Sequence, residues 1–135
     1  MKKFVLAPVG LLLFGLVQAE NLEGVDKMIC AAAQAQICIE HDKCYSAAPA
    51  ELDIPDFVVI DADKKTISTT KASEQNRSTA FSSVLRSDGL IHLQGLEGGR
   101  SFSIVINEAT GHMTAVVLRD GFSVSVFGVC TDADV

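Results

Sequence analysis

Beyond residue 56 the chain alternates apolar and polar side chains with the period-two rhythm of half-buried strands. Phe57-Val58-Val59-Ile60 is a β-rich run, residues 61–65 form a turn, and 66–70 continue as a second strand. Residues 71–78 are polar and aperiodic, which predicts an exposed loop. Five strand-like runs follow, over 80–86, 90–95, 100–107, 112–119 and 122–130, each separated by a short turn. Two of those turns are Asp-Gly, at Asp88-Gly89 and Asp120-Gly121, between apolar runs, a strong hairpin indication. Phe102, Ile104 and Ile106 share one face against Ser101, Ser103 and Asn107. Phe122, Val124 and Val126 do the same against Ser123 and Ser125, with Cys130 on the apolar parity. Ile91 and Leu93 oppose His92 and Gln94, and Phe81 and Leu85 oppose Ser82 and Arg86. Met113, Ala115 and Val117 alternate with Thr114, Val116 and Leu118, which predicts a strand covered on both sides.

The earlier part of the chain is less regular. Residues 20–28 form a polar lead-in, and the Ala/Gln stretch 31–36 is compatible with a short helix. The adjoining Ile37-Cys38-Ile39 favours a strand instead. Pro49 and Pro55 remove ladder donors, so 47–55 is a loop or a sheet edge. Connections this short make successive strands antiparallel neighbours, because a parallel crossover needs about a dozen residues. The expected fold is therefore all-β, an antiparallel meander of seven to nine strands forming a small barrel or curled sheet. Its inward residues are medium-sized, which predicts a core filled by its own side chains.

The first 19 residues have a different character. Lys2-Lys3 precedes an apolar run from Phe4 to Val17, and Val17-Gln18-Ala19 supplies small residues at a cleavage position. A cleaved signal peptide over 1–19 would leave a single domain over 20–135, exported to the periplasm or the exterior. Loss of both lysines takes the basic count from 11 to 9 against 17 acidic residues, so the net charge moves from −6 to −8. A chain this acidic is a poor binder of phosphate backbones, which argues against nucleic acid. No apolar stretch after the leader approaches the ~20 residues of a membrane span.

Cys30, Cys38, Cys44 and Cys130 all fall after the leader, and an even count in an oxidising compartment predicts two disulfides. A hairpin folded about His41 would set Cys38 opposite Cys44, leaving Cys30 to tie the start of the domain to its last strand through Cys130. Zinc is the competing use of four cysteines, with His41 and Asp42 nearby, but the spacings lack the tight pairs such sites use. No Cys-x-x-Cys is present to support redox chemistry.

Catalytic patterns are similarly thin. His41, His92 and His112 have no ligand spacing, and Asp61-Ala62-Asp63 opens like a calcium loop before Lys65 and Thr66 break the pattern. There is no nucleophile elbow or phosphate-binding glycine motif. The expectation is a protein without catalytic residues, metal or cofactor. A protein partner would be met through the loop set Ser87, Asp88, Gly89 and Leu96, Glu97, Gly98, Gly99, Arg100, or through the turn 108–111. An envelope structural or assembly factor pairing through the edge near Pro49 and Pro55, and a carrier of a small apolar ligand, are the alternatives.

The exported leader, the cysteines near the start, the meander and the closing Phe127-Gly128-Val129-Cys130 together resemble small periplasmic β-barrel proteins of proteobacteria. They are also similar in outline to the periplasmic inhibitors of c-type lysozyme. That resemblance implies a disulfide-stapled barrel and a basic protein partner, to which an acidic chain would be steered. Gly98-Gly99-Arg100-Ser101 matches the inhibitory loop of that family in part, with its aromatic displaced to Phe102. No inhibitory residue is carried over.

Overall fold

The computed structural model describes residues 21–134, so the leader expected over 1–19 lies outside the described residues. They form ten strands: β1 (Lys27–Ile39), β2 (Tyr45–Ala47), β3 (Phe57–Asp61), β4 (Thr66–Thr69), β5 (Ser78–Ala80), β6 (Ser83–Ser87), β7 (Leu90–Glu97), β8 (Arg100–Asn107), β9 (His112–Arg119) and β10 (Phe122–Asp132). All pairings are antiparallel. Nine strands follow the order β5-β4-β3-β1-β10-β9-β8-β7-β6, and β2 adds to β1 beside them. The all-β, disulfide-stapled, curled antiparallel meander expected from alternation is what the chain forms.

The curl follows from two features. β1 is long enough to serve two partners on one flank, β3 beside residues 27–31 and β2 beside residues 35–37, with β10 along the other flank. A bulge between Ala32 and Gln34 bends it between those halves. Gly128 sits against this bend, where an added Cβ would lie 2.2 Å from the Ala31 carbonyl oxygen. At the far side, the terminal strands β5 and β6 are joined through Phe81 and Ser82 alone. The Phe81 N–H donates to the Lys65 carbonyl at 2.8 Å and the Ser82 N–H to that of Gln94 at 2.8 Å, so this bent segment bonds toward β4 and β7 in turn. Both ends of the strand order thereby meet at one place, which limits the exposed edge.

The alanine-rich 31–36 is strand rather than helix, because it is flanked by β10 on one side and by β3 and β2 on the other. Cys30 pairs with Cys130 directly across β1 and β10, and Cys38 with Cys44 across the hairpin whose turn places His41 at φ +62°. Residues 47–55, expected as a loop or an edge, are a loop after β2: Pro49–Leu52 is a 3₁₀ turn, and Leu52 and Ile54 pack onto the core. Two expectations need correction. First, Leu85 is exposed and Arg86 faces inward, because the bend at Phe81-Ser82 reverses the alternation between β5 and β6. Second, β9 is not covered on its outer side, where Leu118 is half exposed.

Successive hairpins of a meander point to opposite ends, and the two ends differ. One is closed. Met28, Cys30, Ile60, Ile91, Leu93, Ile106 and Cys130 fill it, and the fully buried Leu22 of the lead-in caps them. Arg86 ties that lead-in down: its guanidinium lies 3.6 Å from Glu108 and 3.7 Å from Asp26, and donates to the carbonyls of Leu22 and Val25. At the other end a smaller cluster of Ala35, Ile37, Val124 and Val126 lines the wall without filling the middle.

Candidate open cup

The unfilled end is a cavity of about 380 Å³. Its floor is apolar, built by Val58, Ile67, Phe102, Ile104, Met113 and Ala115, and its walls by Val117, Phe122, Val124 and Val126 with Leu52, Ile54 and Pro55. Strand parity explains the lining: in β8, β9 and β10 every second residue points into the curl, and at this end those residues are medium-sized. Phe102 is held over its cross-strand partner Gly95, where a Cβ would come within 2.2 Å of the ring, and meets Phe81 edge-on at 5.7 Å. Glycine at 95 therefore lets the ring lie flat on the sheet rather than across the cup.

The mouth is charged. Arg77, Arg100 and Arg119 line it together with Asp53 and Glu97. Arg77 is anchored by mutual bonds with Thr69, its N–H donating to Oγ1 at 2.9 Å and its carbonyl accepting the Thr69 N–H at 2.9 Å. Its guanidinium lies 3.8 Å from the Asp53 carboxylate. The Thr79 hydroxyl donates to the Glu97 carboxylate. Arg119 donates to the Gly98 carbonyl at 3.4 Å, and Arg100 makes no ion pair among the described residues. Gly98 and Gly99, at φ +55° and +76°, form the two-residue turn that sets Glu97 opposite Arg100.

The structure separates the loops that the sequence grouped. Glu97, Gly98, Gly99 and Arg100 stand at the open mouth, and Glu97 and Arg100 line the cavity. Ser87, Asp88 and Gly89 belong to the closed end, where the Gly89 carbonyl accepts the Glu108 N–H at 2.9 Å, beside the turn 108–111. The expected filled core is thus found at one end only. Arg77, Arg119 and the Leu52–Ile54 wall were not anticipated. Counting parity outward from Val117 places Arg119 on the inner face, and the same count from Phe102 places Arg100 there.

Other candidate chemistry is dispersed. His41 is an exposed turn residue 3.3 Å from Glu40, and Asp61 accepts the Lys64 N–H at 2.8 Å as an ordinary hairpin cap. Among the described residues no three His, Cys, Asp or Glu side chains converge as metal ligands, and no helix is long and apolar enough to cross a membrane. No known protein family, curated protein or solved structure matches the chain.

Proposed function

We propose that the chain is an exported, non-catalytic binding protein that holds a small apolar ligand in its open cup. The observation that carries this is the contrast between the ends of one curled sheet: the same alternation packs one end solid and leaves about 380 Å³ at the other. That volume lies within the range of small-molecule sites, and an apolar lining with a few polar groups at one side is the usual composition of such a site. Two disulfides, one closing a span of 100 residues, fit a chain that works in an oxidising compartment. Cleavage after Ala19 completes this reading.

The test is uptake of the neutral fluorophore N-phenyl-1-naphthylamine by the exported protein. Enhanced, saturable fluorescence is expected for the wild type. Ala115→Phe, which puts a ring into the cup, is expected to abolish the enhancement while leaving the melting temperature within a few degrees. Absence of binding to the wild type, or unchanged binding by Ala115→Phe, removes the proposal. N-terminal sequencing of exported protein should begin at Glu20; retention of Met1 removes the leader reading.

A second reading, a protein partner met at the same end, draws on Leu96 and Leu118. Both are exposed, Leu96 at 71%, and both pair with Ser101 on the outer face beside the hairpin at Gly98-Gly99. The rim there carries arginines, so it matches an acidic partner better than the basic partner that the lysozyme-inhibitor resemblance implies.

A further inference from the structure

We infer that the ligand of the cup is a single-chain amphipathic anion, a fatty-acid-like carboxylate, lying with its tail on the apolar floor and its head between Arg100 and Arg119. This rests on the reading of the cup as a ligand site and adds its chemistry. The rows of the sheet carry the argument. Ser101 pairs with Leu118 and Phe102 with Val117, so Arg100 and Arg119 come opposite one another one step further along β8 and β9. Both line the cavity. Like charges directly across a strand pair repel, and an anion lying between them would relieve that repulsion.

The rim's own acids leave it with positive charge in excess. Asp53 is paired with Arg77, and Glu97, across the hairpin from Arg100, accepts from the Thr79 hydroxyl and comes within ion-pair distance of neither Arg100 nor Arg119 among the described residues. The rim holds three arginines against two acids, in a chain whose overall charge is −6. A planar guanidinium presents a fork that matches a carboxylate, and two of them can grip one head group from both sides. At roughly 30 Å³ for each water-sized group, the cup takes about a dozen chain atoms, which suits one medium-length chain.

The experiment is displacement of N-phenyl-1-naphthylamine by three ligands of equal chain length: dodecanoate, dodecanol and dodecyltrimethylammonium. Dodecanoate should displace the probe at about tenfold lower concentration than dodecanol, as one charge-assisted head-group contact implies. The ammonium compound should be the weakest. In Arg100→Gln/Arg119→Gln the dodecanoate advantage should vanish while dodecanol and probe binding persist, which also shows that the variant is folded. Equal potency of dodecanoate and dodecanol on the wild type, or an advantage that survives in the double variant, overturns the inference and leaves the apolar site standing. Displacement by a dispersed diacyl phosphatidylglycerol but not by dodecanoate overturns the single-chain assignment. Failure of the neutral probe to bind at all overturns the site itself.

Discussion

Replacing Arg86 by methionine keeps most of the apolar stem and removes the guanidinium that closes the packed end. Four interactions go with it: the ion pair with Glu108 at 3.6 Å, the looser one with Asp26 at 3.7 Å, and the donations to the Leu22 and Val25 carbonyls. Asp26 is largely exposed, so its share is small. Glu108 is the one buried charged residue among those described, its side chain 11% exposed, and it would lose its counter-ion. A hydrogen bond from a charged donor contributes about 1.5–3 kcal/mol, and removing one partner of a buried ion pair costs about 3–5 kcal/mol. Arg86 itself is 29% exposed, so water replaces part of what is lost and the lower ends apply. The expected cost is about 3 kcal/mol, or roughly 10–15 °C in melting temperature for a domain of this size. Urea titration of wild type, Arg86→Met, Glu108→Gln and the double variant gives the coupling. Arg86→Met should cost clearly less in the Glu108→Gln background, where no charge is stranded. A loss below about 0.5 kcal/mol, no more than an ordinary surface change gives, or an equal loss in both backgrounds, refutes the assignment of Arg86 as the clamp of the lead-in.

The other expectations concern the staples and the sheet. Removing Cys30–Cys130, which spans 100 residues, should destabilise by about 4.7 kcal/mol on a chain-entropy basis, and removing Cys38–Cys44 by roughly 2.4 kcal/mol; denaturant titrations of the two double-alanine variants check the order. Gly95→Ala should cost about 1–3 kcal/mol and lower probe affinity, because the added methyl lifts the Phe102 ring toward the cup; the two readouts must move together. Ile104→Asp places a carboxylate among buried side chains and should cost several kcal/mol, seen as loss of folded product.

Strand positions were legible because each β7 to β10 turn carries its own chemistry and each strand its own alternation. Asp88-Gly89 adopts φ of +52° and +76°, the conformation that a two-residue hairpin turn needs and those residues favour. The failure at Leu85 has a definite cause. Phe81, Val84 and Leu85 are all apolar, so the run permits either phase. The bend at Phe81-Ser82 and the pull of Glu108 on Arg86, a partner 22 positions away, select the one observed. The lead-in was missed for a similar reason: Leu22 and Val25 are isolated apolar residues in a polar stretch, and nothing local shows that Leu22 plugs the core. Emptiness at the open end was not legible at all. It depends on how tightly the sheet curls relative to the summed side-chain volume, and the bulge at Ala32–Gln34 that sets the curl has no local signature in an alanine-rich run.

Arg86 and Arg100 are the same residue type on the inner face of adjoining parts of one sheet, and their surroundings differ in one respect. Arg86 finds two carboxylates and two carbonyls from its own chain, whereas Arg100 lies between Glu97 on β7 and Arg119 on β9 with no carboxylate in ion-pair contact among the described residues. If an external anion completes the mouth, an internal one should replace it. Val117 is opposite Phe102, one row inside the two arginines. Val117→Glu would give up about 1–2 kcal/mol of apolar burial and recover part of it by pairing with Arg100 and Arg119. The variant should stay folded and still take up N-phenyl-1-naphthylamine, but dodecanoate should lose its advantage over dodecanol. A Val117→Gln control carries the same bulk without the charge and should retain that advantage. If Val117→Glu still prefers dodecanoate, the two arginines are not what holds the head group.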